Sequence, residues 1–164
     1  MAKQVRVEDK KVIEFLNEAL KNELTAVNQY WLHYRILDNW GVAKLAAFER
    51  AESIDEMKHA DQLAERILFL GGLPNFQLMG KINVGETVEE ILKCDLMLEE
   101  IAIPLLRDAV EHCEKVRDYV TRDLFAEILS SEEHHLDELE KQFDLIERMG
   151  IENYVQMQSN SVEG

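Results

Sequence analysis

Apolar positions recur at helical spacing along almost the whole chain, and they divide it into four long segments and a short fifth. The first carries Leu16, Leu20, Glu23, Ala26, Tyr30, Tyr34 and Leu37 on one face, with Asp9 placed to cap its start and Asn39 and Gly41 marking its end. The second runs from about Val42 to Leu70, with Leu45, Phe48, Glu52, Glu56, His59, Leu63, Ile67 and Leu70 inward, and Gly71-Gly72 stops it. From about Gly71 to Glu86 the period is lost. Pro74, Asn75, Gly80 and Gly85 punctuate this stretch, which in extended form is long enough to travel the length of a bundle.

Thr87-x-x-Glu90 reads as a capping box that opens a third helix, inward at Val88, Leu92, Leu96, Glu99, Ala102, Leu106, Ala109 and Cys113. Pro104 removes a backbone bond to the Glu100 carbonyl, so a kink is expected one turn beyond Glu99. The fourth helix runs from about Asp118 to Met149, with Leu124, Ile128, Glu132, His135, Leu139, Phe143 and Ile146 inward and Gly150 as its stop. A short helical piece, Ile151 to Met157, precedes a polar end from Gln158. The expected fold is all-α: one domain over 1–164, with a four-helix bundle over about 9–149 and a short C-terminal fifth helix over about 151–157. One long crossover between the second and third helices, with short links elsewhere, is a known bundle topology.

Charged residues interrupt the apolar stripes at regular places. Glu23 stands 33 residues before Glu56-x-x-His59, and Glu99 stands 33 residues before Glu132-x-x-His135, so one spacing is written twice, 76 residues apart. In an antiparallel hairpin, residues equidistant from the turn lie level; the midpoints fall at Asn39/Trp40 and Lys115/Val116, both readable as turns or helix ends. Each ligand then sits about 24 Å along its helix from the turn. The i, i+3 spacing puts carboxylate and imidazole on one helix face, where both reach the same ion. Four buried carboxylates without counter-charge are prohibitive, whereas two divalent cations neutralise them. Mixed carboxylate and imidazole donors suit iron or manganese, with iron preferred, and the pattern is that of two-metal carboxylate bundles. Glu52, Asp55, Glu100 and Glu133 are neighbouring carboxylates that compete for these roles, on weaker helical faces. Tyr30, two turns beyond Glu23, is placed to donate a hydrogen bond or an electron.

Composition narrows the partners. A net charge of −15 argues against nucleic acid, whose phosphates need clustered Lys and Arg, and suits cations. Cys94 and Cys113 form no Cys-x-x-Cys motif, which leaves them as buried thiols. No run of about eighteen apolar residues occurs, and Met1 to Lys11 lacks the apolar core of a signal peptide, so no membrane contact and a cytoplasmic location are expected.

Nearly the whole chain resembles the bacterioferritins, the haem-containing branch of the ferritins. The resemblance is firmest in Asn22-Glu23-Leu24, Asn28-Gln29-Tyr30, the run from Glu52 to Asp61, Arg66 to Leu70, and Gly72-Leu73-Pro74-Asn75. It implies a ferritin-like fold and a hollow homo-oligomeric cage of twenty-four subunits that oxidises Fe(II) with O2 or H2O2 and stores ferric mineral. It carries over Glu23, Glu56, His59, Glu99, Glu132 and His135 as ligands of a di-iron ferroxidase centre, with Glu56 and Glu132 bridging.

It also assigns Met57 as the axial ligand of haem b, one haem per subunit pair, with a ferredoxin-type electron donor for iron release. The helix geometry agrees in part, since Met57 points 100° away from inward Glu56. Leu24, Val27, Asn28 and Trp31, with Ile54 and Met57, form a second stripe that a lone chain would leave wet. Ala51 stands where some relatives have a His, and Leu63 and Glu138 where some have Tyr and Trp, which counts against an inner-surface iron site and an aromatic relay. Rival readings are a di-iron peroxidase or di-manganese catalase, and a haem-binding electron-transfer bundle with structural metal.

Overall fold

The structure, a computed structural model, describes residues 5–159; the polar end beyond Ser159 lies outside the described residues. Five helices follow one another: α1 (Lys10–Asn39), α2 (Ala43–Phe69), α3 (Val88–Val116), α4 (Tyr119–Met149) and α5 (Ile151–Gln158). The fold is therefore an all-α, ferritin-like four-helix bundle with a short C-terminal helix, and among the described residues no helix is long and apolar enough to cross a membrane.

Each helix begins or ends for a local reason. The Asp9 carboxylate accepts from Val12 N–H at 2.9 Å, and Thr87 Oγ1 accepts from Glu90 N–H at 3.1 Å, so both expected caps form. The box at Thr87 is looser than its motif suggests, because Glu90 Oε2 accepts from the N–H of Glu86 at 2.8 Å, one residue before the cap. Gly41 turns the chain between α1 and α2 at φ 83°, a left-handed conformation that glycine adopts without strain. Arg117 makes the equivalent turn between α3 and α4 at φ 64°, immediately after the expected midpoint at Lys115/Val116. Helix α3 runs continuously through Pro104, which lies at an exposed position.

The hairpin register is fixed by Ser53 Oγ, which donates to the Val27 carbonyl at 2.7 Å. That bond sets residues whose numbers sum to about 80 side by side on α1 and α2, so Glu23 faces the Glu56–His59 turn. The long crossover from α2 to α3 forms no helix or strand of its own, yet it is pinned to α1. Backbone N–H groups of Asn75, Gly80, Asn83 and Gly85 donate to Asn17 Oδ1, Thr25 Oγ1, Gln29 Oε1 and His33 Nε2 at 2.8, 2.8, 3.0 and 3.2 Å. The crossover thus follows α1 from Asn17 to His33, and α1 side chains answer backbone groups that secondary structure leaves open.

Apolar burial is split in two. One cluster, built on Leu16, Leu20, Leu63, Ile67, Leu106, Phe125 and Ile128, fills the end of the bundle nearest the α3–α4 turn. The other, built on Leu37, Leu45, Ile91, Leu92, Leu139 and Tyr154, fills the opposite end with help from α5. A polar layer separates them.

At the first of these ends Asp118 caps α4, accepting from Thr121 N–H at 3.1 Å and from Thr121 Oγ1 at 2.6 Å, and it pairs with Arg66 Nη2 at 3.1 Å. Asp118→Ala removes the cap and leaves a largely buried guanidinium without its carboxylate. A loss of about 3 kcal/mol is expected in denaturant unfolding, against about 1 kcal/mol for a cap alone.

Candidate metal centre

The polar layer contains all six residues singled out by the repeated spacing. Glu23 comes from α1, Glu56 and His59 from α2, Glu99 from α3, and Glu132 and His135 from α4. Each sits on an apolar stripe, so burying the stripe carries the polar side chain inward. Glu23, Glu56, Glu99 and Glu132 are all at most 4% exposed. Donor atoms of Glu23, Glu56, His59 and Glu132 lie within 4.8 Å of one another, and so do those of Glu56, Glu99, Glu132 and His135. Glu56 and Glu132 belong to both groups, so the two clusters are joined through carboxylates.

Hydrogen bonds hold the imidazoles in place. His135 Nδ1 lies 2.8 Å from Glu99 Oε1, and the Tyr30 hydroxyl donates to the same oxygen at 2.6 Å. His59 Nδ1 lies 3.1 Å from Glu56 Oε2, with Glu132 Oε1 at 3.5 Å and Glu23 Oε1 at 3.8 Å. Glu99 Oε2 and Glu132 Oε1 make no hydrogen bond at all. Among the described residues no lysine or arginine pairs with any of the four carboxylates. Buried acceptors without donors in a layer of four carboxylates are the electrostatic signature of a place built for cations.

The protonation states tell the same story. Burial, reinforced by the charge of Glu132, lifts Glu23 to about 6. Burial likewise pushes Glu56 and Glu132 well above the carboxylate range, with Glu23 and Glu56 respectively adding repulsion. Burial opposes charge on His59, but Glu132, Glu23 and Glu56 outweigh it and raise the imidazole to about 12. His135 is raised to about 9 against the same penalty, chiefly by Glu99. Glu99 alone falls below its ordinary value, because the donors around it exceed its burial penalty. In the metal-free chain the two imidazoles act as the cations of the layer.

Other residues of the sequence reading fall elsewhere. Met57 is 46% exposed beside Ile54, turned away from the layer, and Trp31 is 41% exposed on the same side of the hairpin. Asp55, Glu100 and Glu133 face solvent, while Glu52 is partly buried with Oε2 3.6 Å from His135 Nδ1. Ala51 is exposed, Leu63 is a core residue and Glu138 lies at the edge. A cavity of about 270 Å³ between α1, α3 and the crossover is lined by Lys21, Lys81, Asn83 and Ile101 and reaches Glu23, Glu99 and Glu132. Sequence reasoning missed a second buried group, His33, Glu49 and Asp95. The signal was present: each lies one or two turns from a stripe residue already identified, namely Tyr30, Glu56 and Glu99.

Comparison with known proteins adds the following. The family model described as "Ferritin-like domain" matches residues 13–149. A bacterioferritin of Brucella melitensis is 50% identical over 147 residues, covering 90% of this chain and 91% of the relative. Bacterioferritins of Streptomyces coelicolor and Rhodobacter capsulatus are 48% and 47% identical, covering 90% and 89% of this chain and 88% and 91% of their own lengths.

Metal uptake must displace the protons held by His59 and His135, so affinity should rise with pH by roughly tenfold per unit for each proton released. Co(II) titration of the metal-free protein between about pH 6 and 8, with released acid followed by pH-stat, checks this. Affinity independent of pH would mean that neither the imidazoles nor the raised carboxyls of the layer give up a proton on binding.

Proposed function

The chain belongs to the bacterioferritin family, and from that premise we propose that it stores iron and acts as a ferroxidase, in the cytoplasm, within a homo-oligomeric cage of twenty-four subunits. The observation that carries this reading is the pair of buried clusters sharing Glu56 and Glu132, which offers room and charge for two ions side by side. Fe(II) is the substrate. Glu23 and His59 serve one ion, Glu99 and His135 the other, and Glu56 and Glu132 span both. Four carboxylates neutralise two divalent ions, and they hold the added positive charge more favourably once each ion has given up an electron.

Two Fe(II) supply two electrons, which with two protons convert O2 to H2O2, or H2O2 to two waters. The protein's part is to keep the ions adjacent and to hold its donors in place. Tyr30 does this for Glu99: its hydroxyl donates to Glu99 Oε1 at 2.6 Å, and burial and the charge of Glu99 push the phenol well above its ordinary pKa. The cavity lined by Lys21 and Lys81 gives small reactants a way to the layer. Ferric product then passes to the cage interior as mineral.

For haem b, Met57 is the candidate ligand. Its side chain is exposed, as is that of Trp31 further along the hairpin, which fits a flat apolar group clasped between two copies of the chain. Haem bound there would supply electron transfer to the stored mineral, with a ferredoxin-type protein as donor. Aerobic loading tests storage: iron retained far beyond two ions per subunit supports it, and saturation at two identifies a catalytic or structural centre instead.

Glu23→Ala and His135→Ala should each slow rapid Fe(II) oxidation by more than about tenfold, the lower end of what loss of even an outer partner costs a metal site. Both should remain folded and assembled, because the apolar clusters at either end are untouched. An unchanged fast phase in stopped-flow absorbance would count against the ligand set.

Met57→Leu should give haem-free protein, since Leu offers no lone pair, while Met57→His keeps a haem with an altered spectrum. Fe(II) oxidation should survive both. Stoichiometric haem with unchanged absorption in the Leu variant would remove Met57 from the assignment.

A further inference from the structure

Between the six-residue layer and the apolar cluster around Leu37 and Leu92 lies the second buried group, contributed by α1 (His33), α2 (Glu49) and α3 (Asp95). One donor atom from each lies within 4.8 Å of the others, and His33 and Asp95 have no exposed surface. Glu49 is 1% exposed, and neither of its carboxylate oxygens has a hydrogen-bond partner; Asp95 Oδ2 has none either. The buried group thus holds three carboxylate oxygens without a hydrogen-bond partner.

Asp95 is arranged as metal-binding carboxylates are. Its Oδ1 accepts from Gln29 Nε2 at 2.9 Å and lies 2.9 Å from His33 Nδ1. Gly85 N–H donates to His33 Nε2 at 3.2 Å, so the ring's proton is on Nδ1 and is given to Asp95. Both outer partners therefore hold one oxygen and leave the other free, the way an outer shell orients a ligand. His33 is a positioning residue here, its lone pair already engaged by the crossover. No lysine or arginine among the described residues pairs with Glu49 or Asp95. Burial, then the neighbouring charge of Asp95, pushes the Glu49 carboxyl well above its ordinary range.

We propose that Glu49 and Asp95 form a separate mononuclear site for a divalent cation, bound through their three unpartnered oxygens and oriented by His33 and Gln29. Two carboxylates neutralise one such ion, and an oxygen donor set selects the hard class that includes Mg(II), Ca(II) and Mn(II). The site stands about 10 Å along α2 from Glu56, two turns away, so it is distinct from the clusters joined by Glu56 and Glu132. The function proposed above does not require it.

Equilibrium dialysis of the whole assembled protein against Mn(II), followed by metal analysis, tests this, with Glu49→Gln and Asp95→Asn as variants that keep side-chain shape. Each folded variant should bind one fewer Mn(II) per subunit than the parent, with the ions at Glu23, Glu56, Glu99 and Glu132 retained. Crystals of the parent grown with Mn(II) should show an anomalous peak between Glu49 and Asp95, whether or not the variants assemble. Equal Mn(II) counts in parent and variants, or no anomalous peak at that place, would overturn the site and leave a carboxyl pair sharing a proton.

Discussion

Four carboxylates in the middle of a helical bundle cannot stay ionised on their own, and much of this molecule follows from how that charge is met. An ionised carboxylate in a low-dielectric interior costs several kcal/mol even after relaxation. The chain's own groups oppose that charge, since neighbouring carboxylates raise His59 and His135 and burial raises the carboxyls of Glu23, Glu56 and Glu132. Cations do the same task better, because one divalent ion replaces protons spread over several groups. The layer is therefore arranged so that cations, as proposed above, would complete it.

Such a layer is tolerable because stability is supplied elsewhere. The apolar clusters around Leu16, Phe125 and Ile128 and around Leu37, Leu92 and Tyr154 close the bundle at its two ends. Between them the helices are committed to their register before any ligand arrives, by Ser53 on Val27 and by the rungs from α1 to the crossover. His33 shows how economical this is: one ring accepts from Gly85 to tether the crossover and donates to Asp95 in the core.

Helix α2 presents different chemistry on neighbouring faces. Glu56 and His59 look inward, Met57 and Ile54 look out beside Trp31, and Asp55 faces solvent. A rotation of 100° per residue separates the oxidation chemistry proposed for the core from the haem contact proposed for the surface. Changes on one face can consequently be made without disturbing the other.

The sequence by itself determined the elements and the main site. Helical period, the caps at Asp9 and Thr87 and the glycines at 41 and 150 placed the helix ends to within a few residues, and the paired spacing of Glu23 and Glu99 to the Glu-x-x-His motifs brought six donors together. These are local rules and a repeat, which a linear chain displays openly. What only the tertiary structure decided is the meeting of residues with no shared period. His33, Glu49 and Asp95 lie one or two turns from stripe residues, but their spacings do not repeat as those of the Glu and Glu-x-x-His pairs do, so only the packing of three helices shows that they meet. The hydrogen bonds from Gly80, Asn83 and Gly85 to α1 are equally invisible beforehand, because the partners of an irregular segment are chosen by what packs beside it rather than by its own sequence.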